Sequence, residues 1–119
     1  MIQGIGTDII EISRIQKAVA HYGDRFLSRL YTDHEINYCK RKSKLRIPEL
    51  AVRFAAKEAY VKAKGTGFVR GIFWKDIEIK NDKLGKPEYF IRGEKDIRAH
   101  VSLSHSDNFA VAYAIIEKA

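Results

Sequence analysis

Glu58 and Asp8 are the two carboxylates in this sequence whose surroundings call for a chemical explanation. The segment Ile47 to Lys64 reads as a helix, and stepping around it at about 100° per residue sorts its side chains into faces. Arg53, Lys57 and Lys64 gather beside Tyr60 in a stripe free to face solvent or a phosphate. Glu58 falls instead between Phe54 and Ala51, with Lys62 close by, so two charges interrupt the apolar arc. An ionised carboxylate pushed toward a core is costly unless it is paired or bound to a metal. Two readings stay open. Glu58 and Lys62 are four residues apart in the order that favours a helical ion pair. The alternative is a ligand, and that requires a second acid.

Asp8 supplies one, placed at the end of an apolar strand where the chain turns into a helix. It can equally be an N-cap-type turn aspartate. Two hard oxygen ligands from separate elements suit Mg²⁺, which takes one or two carboxylates and completes its shell with water and substrate phosphate. A lysine one turn beyond the metal carboxylate, Lys62, can meet the remaining phosphate charge. His105 sits on a strand face with Val101 and Leu103 and has no nucleophile at motif spacing. That weakens a hydrolase reading.

The elements that must position these groups follow from the hydrophobic pattern. Residues 2–8 read as a strand with Gly4 and Gly6 permitting close backbone approach. Ile9, Ile12, Ile15 and Val19 recur at helical spacing over 9–22, up to Gly23, and a short helix follows over 24–30. Thr32 with Glu35 three residues later makes a capping-box start for a helix over about 33–42. The run 40–46 (KRKSKLR) reads as a basic loop, and Pro48 opens the helix over 48–64 that Gly65 and Gly67 stop. Strands are expected at 76–80 and 88–92 around a turn at 81–85, then at 100–104 and 109–116 around Ser106-Asp107-Asn108. Ala51, Ala55, Ala59 and Ala63 form a methyl ridge that can lie on Ala110, Ala112 and Ala114 of the last strand. The sum is one α+β domain over 1–119, a mainly antiparallel sheet packed against a long central helix.

Composition bounds the partners. The 119 residues are 45% hydrophobic, enough for a core, while a lone domain of this size gains from burial by self-association. Cys39 is the only cysteine, so an intrachain disulfide and Cys-based zinc sites are excluded. No leader-like or membrane-spanning run is seen, and a cytoplasmic protein without membrane contact is expected. The net charge of +7 is lopsided: residues 1–70 carry 14 Lys/Arg against 7 Asp/Glu, and residues 71–119 carry 8 of each. An anionic partner for the first part follows: a phosphorylated small molecule, an acidic protein or a nucleic acid. Arg14, Lys17 and His21 share one face of the first helix, and Arg25 and Arg29 lie on the next.

The ordered set Gly6-Thr7-Asp8, Phe54-Ala55-Ala56-Lys57-Glu58-Ala59-Tyr60-Val61-Lys62-Ala63, the Lys62-to-Gly67 continuation, and Ser102-Leu103-Ser104-His105-Ser106 resembles the phosphopantetheinyl transferases. It is most similar to their small class, the holo-acyl-carrier-protein synthases, from residue 1 to about 117. The resemblance implies transfer of a phosphopantetheine arm from coenzyme A to a serine of apo-acyl carrier protein, in fatty acid biosynthesis. It implies Mg²⁺ on Asp8 and Glu58, with Lys62 neutralising the pyrophosphate as adenosine 3′,5′-bisphosphate leaves. Arg53, Lys44 and His105 would contact the adenosine 3′-phosphate region, and Gly65, Thr66 and Gly67 would form a close-approach loop. Arg14, Lys17, His21, Arg25 and Arg29 would grip the acidic carrier. A homotrimer with active sites shared between neighbours is implied as well. For the serine proton, Asp33, Glu35, Glu58 and a metal-bound water are candidates, with the water favoured. Family members commonly carry a helix before the His-containing strand, where Gly93 to Arg98 here leaves a short connector.

Two rivals remain. A basic nucleic-acid-binding module accounts for the charge, yet gives no reason for Asp8 or Glu58, which would repel phosphates without a metal. A metal-independent interaction domain has no need of all three residues Asp8, Glu58 and Lys62.

Overall fold

The computed structural model describes residues 1–65 and 73–119. The chain runs β1 (Ile2–Glu11), α1 (Ile12–Tyr22), α2 (Asp24–Leu30), α3 (Asp33–Tyr38), β2 (Lys40–Arg41), β3 (Lys44–Leu45) and α4 (Ile47–Lys64). A 3₁₀ turn at Trp74–Asp76 leads into β4 (Ile77–Asn81), β5 (Pro87–Ile91), β6 (Glu94–Lys95), β7 (Ala99–His105) and β8 (Phe109–Glu117). The α+β class expected from the pattern holds, and every pairing is antiparallel. One sheet has the order β1-β8-β7, a second β4-β5-β6, and β2-β3 is a separate hairpin.

The alternation of β1 and β8 places α4 on one face of the first sheet. Ala110, Ala112 and Ala114 of β8 are fully buried, as are Ala51, Ala55 and Ala59 of α4. Small side chains on both surfaces let helix and sheet approach closely. The approach is tightest at β1, beside the last strand: a Cβ on Gly4 would lie 1.9 Å from the Ala63 carbonyl oxygen, and one on Gly6 1.9 Å from that of Ala59. The second sheet closes the other flank of α4. Ile77, Ile79 and Tyr89 are buried there, and the Tyr89 hydroxyl donates to the Ala56 carbonyl at 2.6 Å. α4 ends as expected at Gly65, whose left-handed backbone (φ 78°) aims its N–H at Val61 O and Lys62 O.

Four local expectations change. The first strand continues to Glu11, because Ile9, Ile10 and Glu11 find ladder partners in Val111, Ala110 and Phe109. Ile9 is therefore an outward-facing strand residue, 64% exposed, and the helix begins at Ile12. The capping box of Thr32 and Glu35 forms, but its helix ends at Tyr38. The basic run 40–46 is a tight hairpin, not an open loop, turning through the positive-φ residues Lys42 and Ser43 and closed by Arg46 N–H donating to Cys39 O. The stripe of Arg53 and Lys57 does not face solvent: the two are 1% and 0% exposed, because α3, β4 and the 3₁₀ turn cover it.

Candidate functional site

Asp8 lies inside β1, paired with Ala112, rather than at a strand end or turn. Its neighbours on the same face of the strand are Gly6 and Ile10, both buried against the body of the protein. Gly4 and Gly6 bring the strand backbone onto α4, and Asp8 is the next residue of that face. Glu58 and Lys62 answer it from successive turns of α4. Lys62 Nζ donates to Asp8 Oδ1 at 3.1 Å and to Thr7 O at 3.0 Å. The lysine side chain is 54% exposed and the aspartate 16%, so the pair opens to solvent on the lysine side. Lys62 thus bonds across to the strand, and the simple Glu58–Lys62 helical pair is not the arrangement adopted.

Glu58 is half-buried between them. Burial holds its pKa above the ordinary carboxylate value, the Asp8 charge pushes the same way, and Lys62 partly offsets both. Two carboxylates repelling each other at one edge of a helix–strand seam form a donor set in want of a cation. Among the described residues no group of three or more His, Cys, Asp and Glu converges. A site of two carboxylates fits an ion that keeps several positions for water and phosphate, and Mg²⁺ is such an ion.

A cavity of about 480 Å³ lies elsewhere on the chain, walled by Tyr38, Arg53, Asn81, Lys86, Ser102 and His105 among others. Arg53 is built into its wall. Its guanidinium donates to Glu49 O at 3.1 Å, Glu49 Oε2 at 3.0 Å and Asn81 Oδ1 at 2.9 Å, and lies 4.3 Å from the Tyr38 ring centroid. Its Nε finds no partner among the described residues. His105 is exposed at the end of β7, its Nδ1 3.2 Å from Ser106 O. Arg53 and His105 both line this one cavity, and Lys44 does not: on β3 it faces solvent. Neither Asp8, Glu58 nor Lys62 lines it either. Gly65 is the cap of α4, and Thr66 and Gly67 lie outside the described residues.

Arg14, Lys17 and His21 are exposed on α1, and Arg25 and Arg29 on α2. The two arginines border a groove of about 470 Å³ whose floor is Tyr22, Phe26 and Leu30, a basic rim around an apolar centre. Pattern reasoning gave Tyr38 no role and left Lys57 on an open stripe, while Glu35 was named as a helix-capping residue and a candidate proton acceptor. The capping box located Glu35, but nothing local signals that both its oxygens are also engaged by Lys57 and β4. Those contacts withdraw Glu35 as a proton acceptor for a substrate. Cys39 is fully buried and its thiol pushed up to about 11, chiefly by that burial, so it is no nucleophile.

Comparison with known proteins decides the family. Residues 4–114 match the model of the 4′-phosphopantetheinyl transferase superfamily. The chain belongs to the holo-acyl-carrier-protein synthase family. A holo-[acyl-carrier-protein] synthase of Halothermothrix orenii is 48% identical, covering 99% of each chain. That of Anoxybacillus flavithermus is 49% identical over 99% of this chain and 98% of its own. A crystal structure of the Bacillus anthracis synthase in complex with CoA (3′,5′-ADP) superposes with a TM-score of 0.84 at 43% identity, covering 100% of this chain and 99% of that one. As a family member the chain is an enzyme, a phosphopantetheinyl transferase.

Proposed function

We propose that this synthase moves the 4′-phosphopantetheine arm of coenzyme A onto a serine of apo-acyl carrier protein, Mg²⁺-dependently, in cytoplasmic fatty acid biosynthesis. The observation that carries the reading is Glu58, half-buried and raised in pKa beside Asp8, with Lys62 bridging to the same aspartate. Asp8 and Glu58 would hold the ion, which when bound neutralises and orients the pyrophosphate. Lys62 is free to swing its exposed ammonium from Asp8 to a phosphate oxygen, because one bound cation can replace it there. The serine oxygen attacks the β-phosphorus and gives up its proton to water, the bond from that phosphorus to the bridging oxygen breaks, and adenosine 3′,5′-bisphosphate departs. Phosphoryl transfer asks mainly for positioning and charge neutralisation, and these side chains provide both.

The nucleotide is assigned to the Arg53–His105 cavity, the carrier to the basic rim of α1 and α2. One chain keeps that cavity apart from the carboxylates, which supports sites shared between subunits of a homotrimer. The outer face of the first sheet gives such an assembly an apolar surface: Ile5, Ile9 and Tyr113 are 62%, 64% and 53% exposed. The nucleic-acid reading is disfavoured because Arg53 and Lys57, two cations of the expected stripe, are buried in ion pairs. Incubating apo-acyl carrier protein with the chain, coenzyme A and Mg²⁺ tests the reaction by mass spectrometry. A carrier heavier by one phosphopantetheine arm is expected, and an unmodified carrier overturns the proposal.

A further inference from the structure

Lys57 immediately precedes Glu58, and its ammonium is wholly buried. Its three bonds reach three separate elements: Leu30 O at the end of α2 at 2.7 Å, Glu35 Oε1 of α3 at 2.7 Å, and Trp74 O of the 3₁₀ turn at 3.0 Å. Glu35 extends the node. Its Oε1 also accepts from Thr32 N–H at 3.0 Å and its Oε2 from Ile79 N–H of β4 at 2.9 Å. Both side chains are 0% exposed. A buried ion pair is weak evidence for stability, since apolar residues of similar volume often serve as well. What this pair does is direct: it ties one flank of α4 to α2, α3, the 3₁₀ turn and β4 at one level of the helix.

The other flank of α4 is fixed at Ala59 and Ala63, whose carbonyl oxygens lie against Gly6 and Gly4. At about 100° per residue, Glu58 falls on the arc between Lys57 and Ala59. With both flanks held, rolling of the helix is resisted, and Glu58, whose charge and that of Asp8 act on each other, lies on the arc between the two flanks. We propose that Glu35 and Lys57 are positioning residues for the cation site, setting the roll of α4 so that Glu58 and Asp8 converge. The inference rests on the reading of Asp8 and Glu58 as the ligands. Partners that orient metal ligands from behind are typically worth about 10–100-fold in metal affinity or activity.

Mn²⁺ serves as the probe, with free ion followed by electron paramagnetic resonance in the presence of coenzyme A, alongside thermal unfolding of each protein. Glu35→Gln leaves one acceptor and one donor where two acceptors are needed, against Thr32 N–H, Lys57 and Ile79 N–H. Lys57→Met removes the cation and keeps the stem. Each single variant should bind Mn²⁺ at least about ten-fold more weakly and need correspondingly more Mg²⁺ for half-maximal transfer. In the double variant Glu35→Gln/Lys57→Met no unpaired charge remains. Its thermal midpoint should climb back toward the original while Mn²⁺ affinity stays low. The double variant also decides the matter if either single variant does not fold. Mn²⁺ affinity that is unchanged, or that recovers in step with stability, overturns the proposal by reducing the node to a packing feature. Failure of the unaltered protein to bind Mn²⁺ with coenzyme A would instead remove the ligand assignment itself, and the proposal with it.

Discussion

Gly6→Ala is the most informative change to the scaffold. The added methyl would sit 1.9 Å from Ala59 O, 2.7 Å from Ala63 N and 2.9 Å from Ala59 C, all of them helix backbone. Ordinary contact begins at 3.4 Å, so strand and helix must part by about 1.5 Å at this point. No side chain can swing away to relieve the clash. Parting the two elements strips contacts from buried Ala59, Ala112 and Ala114 along the seam. Overpacking a rigid core costs about 1–3 kcal/mol, and immovable backbone places this site at the upper end, about 3 kcal/mol. For a chain of this size that is a fall in Tm of roughly 12 °C. Asp8 rides on the same strand face two residues on, so transfer activity should fall further than the folded fraction does. Gly85→Ala is the control: its new methyl meets nothing within 4 Å and only the positive φ of 90° is strained, at about 1–2 kcal/mol. Thermal unfolding and turnover per folded molecule, measured on both variants, form the assay. Equal or smaller destabilisation for Gly6→Ala would refute the close strand–helix seam on which the site geometry depends.

Other outcomes follow from the same geometry. Asp8→Asn and Glu58→Gln should each lower Mg²⁺-dependent transfer by at least about 100-fold while leaving thermal stability without metal unchanged or higher; retained turnover in both would remove them from the site. Because the folded state holds the Glu58 pKa above its ordinary 4.5, the folded chain binds the extra proton. Metal-free stability should therefore be greatest at low pH from this group and decline as pH rises from about 4.5 through the raised value. Glu58→Gln should flatten that part of the pH–stability curve, and an unchanged slope would contradict the coupling. Arg14→Glu should raise KM for the acidic carrier by about ten-fold with little effect on KM for coenzyme A; equal effects would place the carrier elsewhere. The homotrimer proposed above should fall to a monomer in sedimentation analysis on Ile5→Asp with Tyr113→Asp, whereas an assembly unaltered by the two changes would exonerate that face.

Much of the fold was legible because local signals and tertiary packing agree. The alternating β8, the alanine ridge of α4 and the Thr32 capping box each point to one structure, and the structure contains all three. Boundaries were harder to place. Nothing within Ile9-Ile10-Glu11 separates strand from helix, since ladder partners more than ninety residues later extend β1. The charges on α4 were misread for a related reason. Helical periodicity groups Arg53 with Lys57, but it contains no information on whether Glu49, Asn81 and Glu35 stand ready to satisfy them. Glu58 was the opposite case: a charge on an apolar arc signals its own exception, and in the structure its charge and that of Asp8 act on each other. The cavity wall was the least visible, because Tyr38 of α3 and the β4–β5 turn that carries Asn81 and Lys86 are far apart in sequence and converge only through packing.

The central claim is that Asp8 and Glu58 together seat one divalent cation against the pyrophosphate of coenzyme A. Anomalous diffraction from crystals grown with coenzyme A and Mn²⁺ tests it most directly. A single manganese peak within bonding distance of both carboxylates and of a phosphate oxygen is the predicted result. A peak bonded to other residues, or nucleotide bound with both carboxylates left uncoordinated, would contradict it.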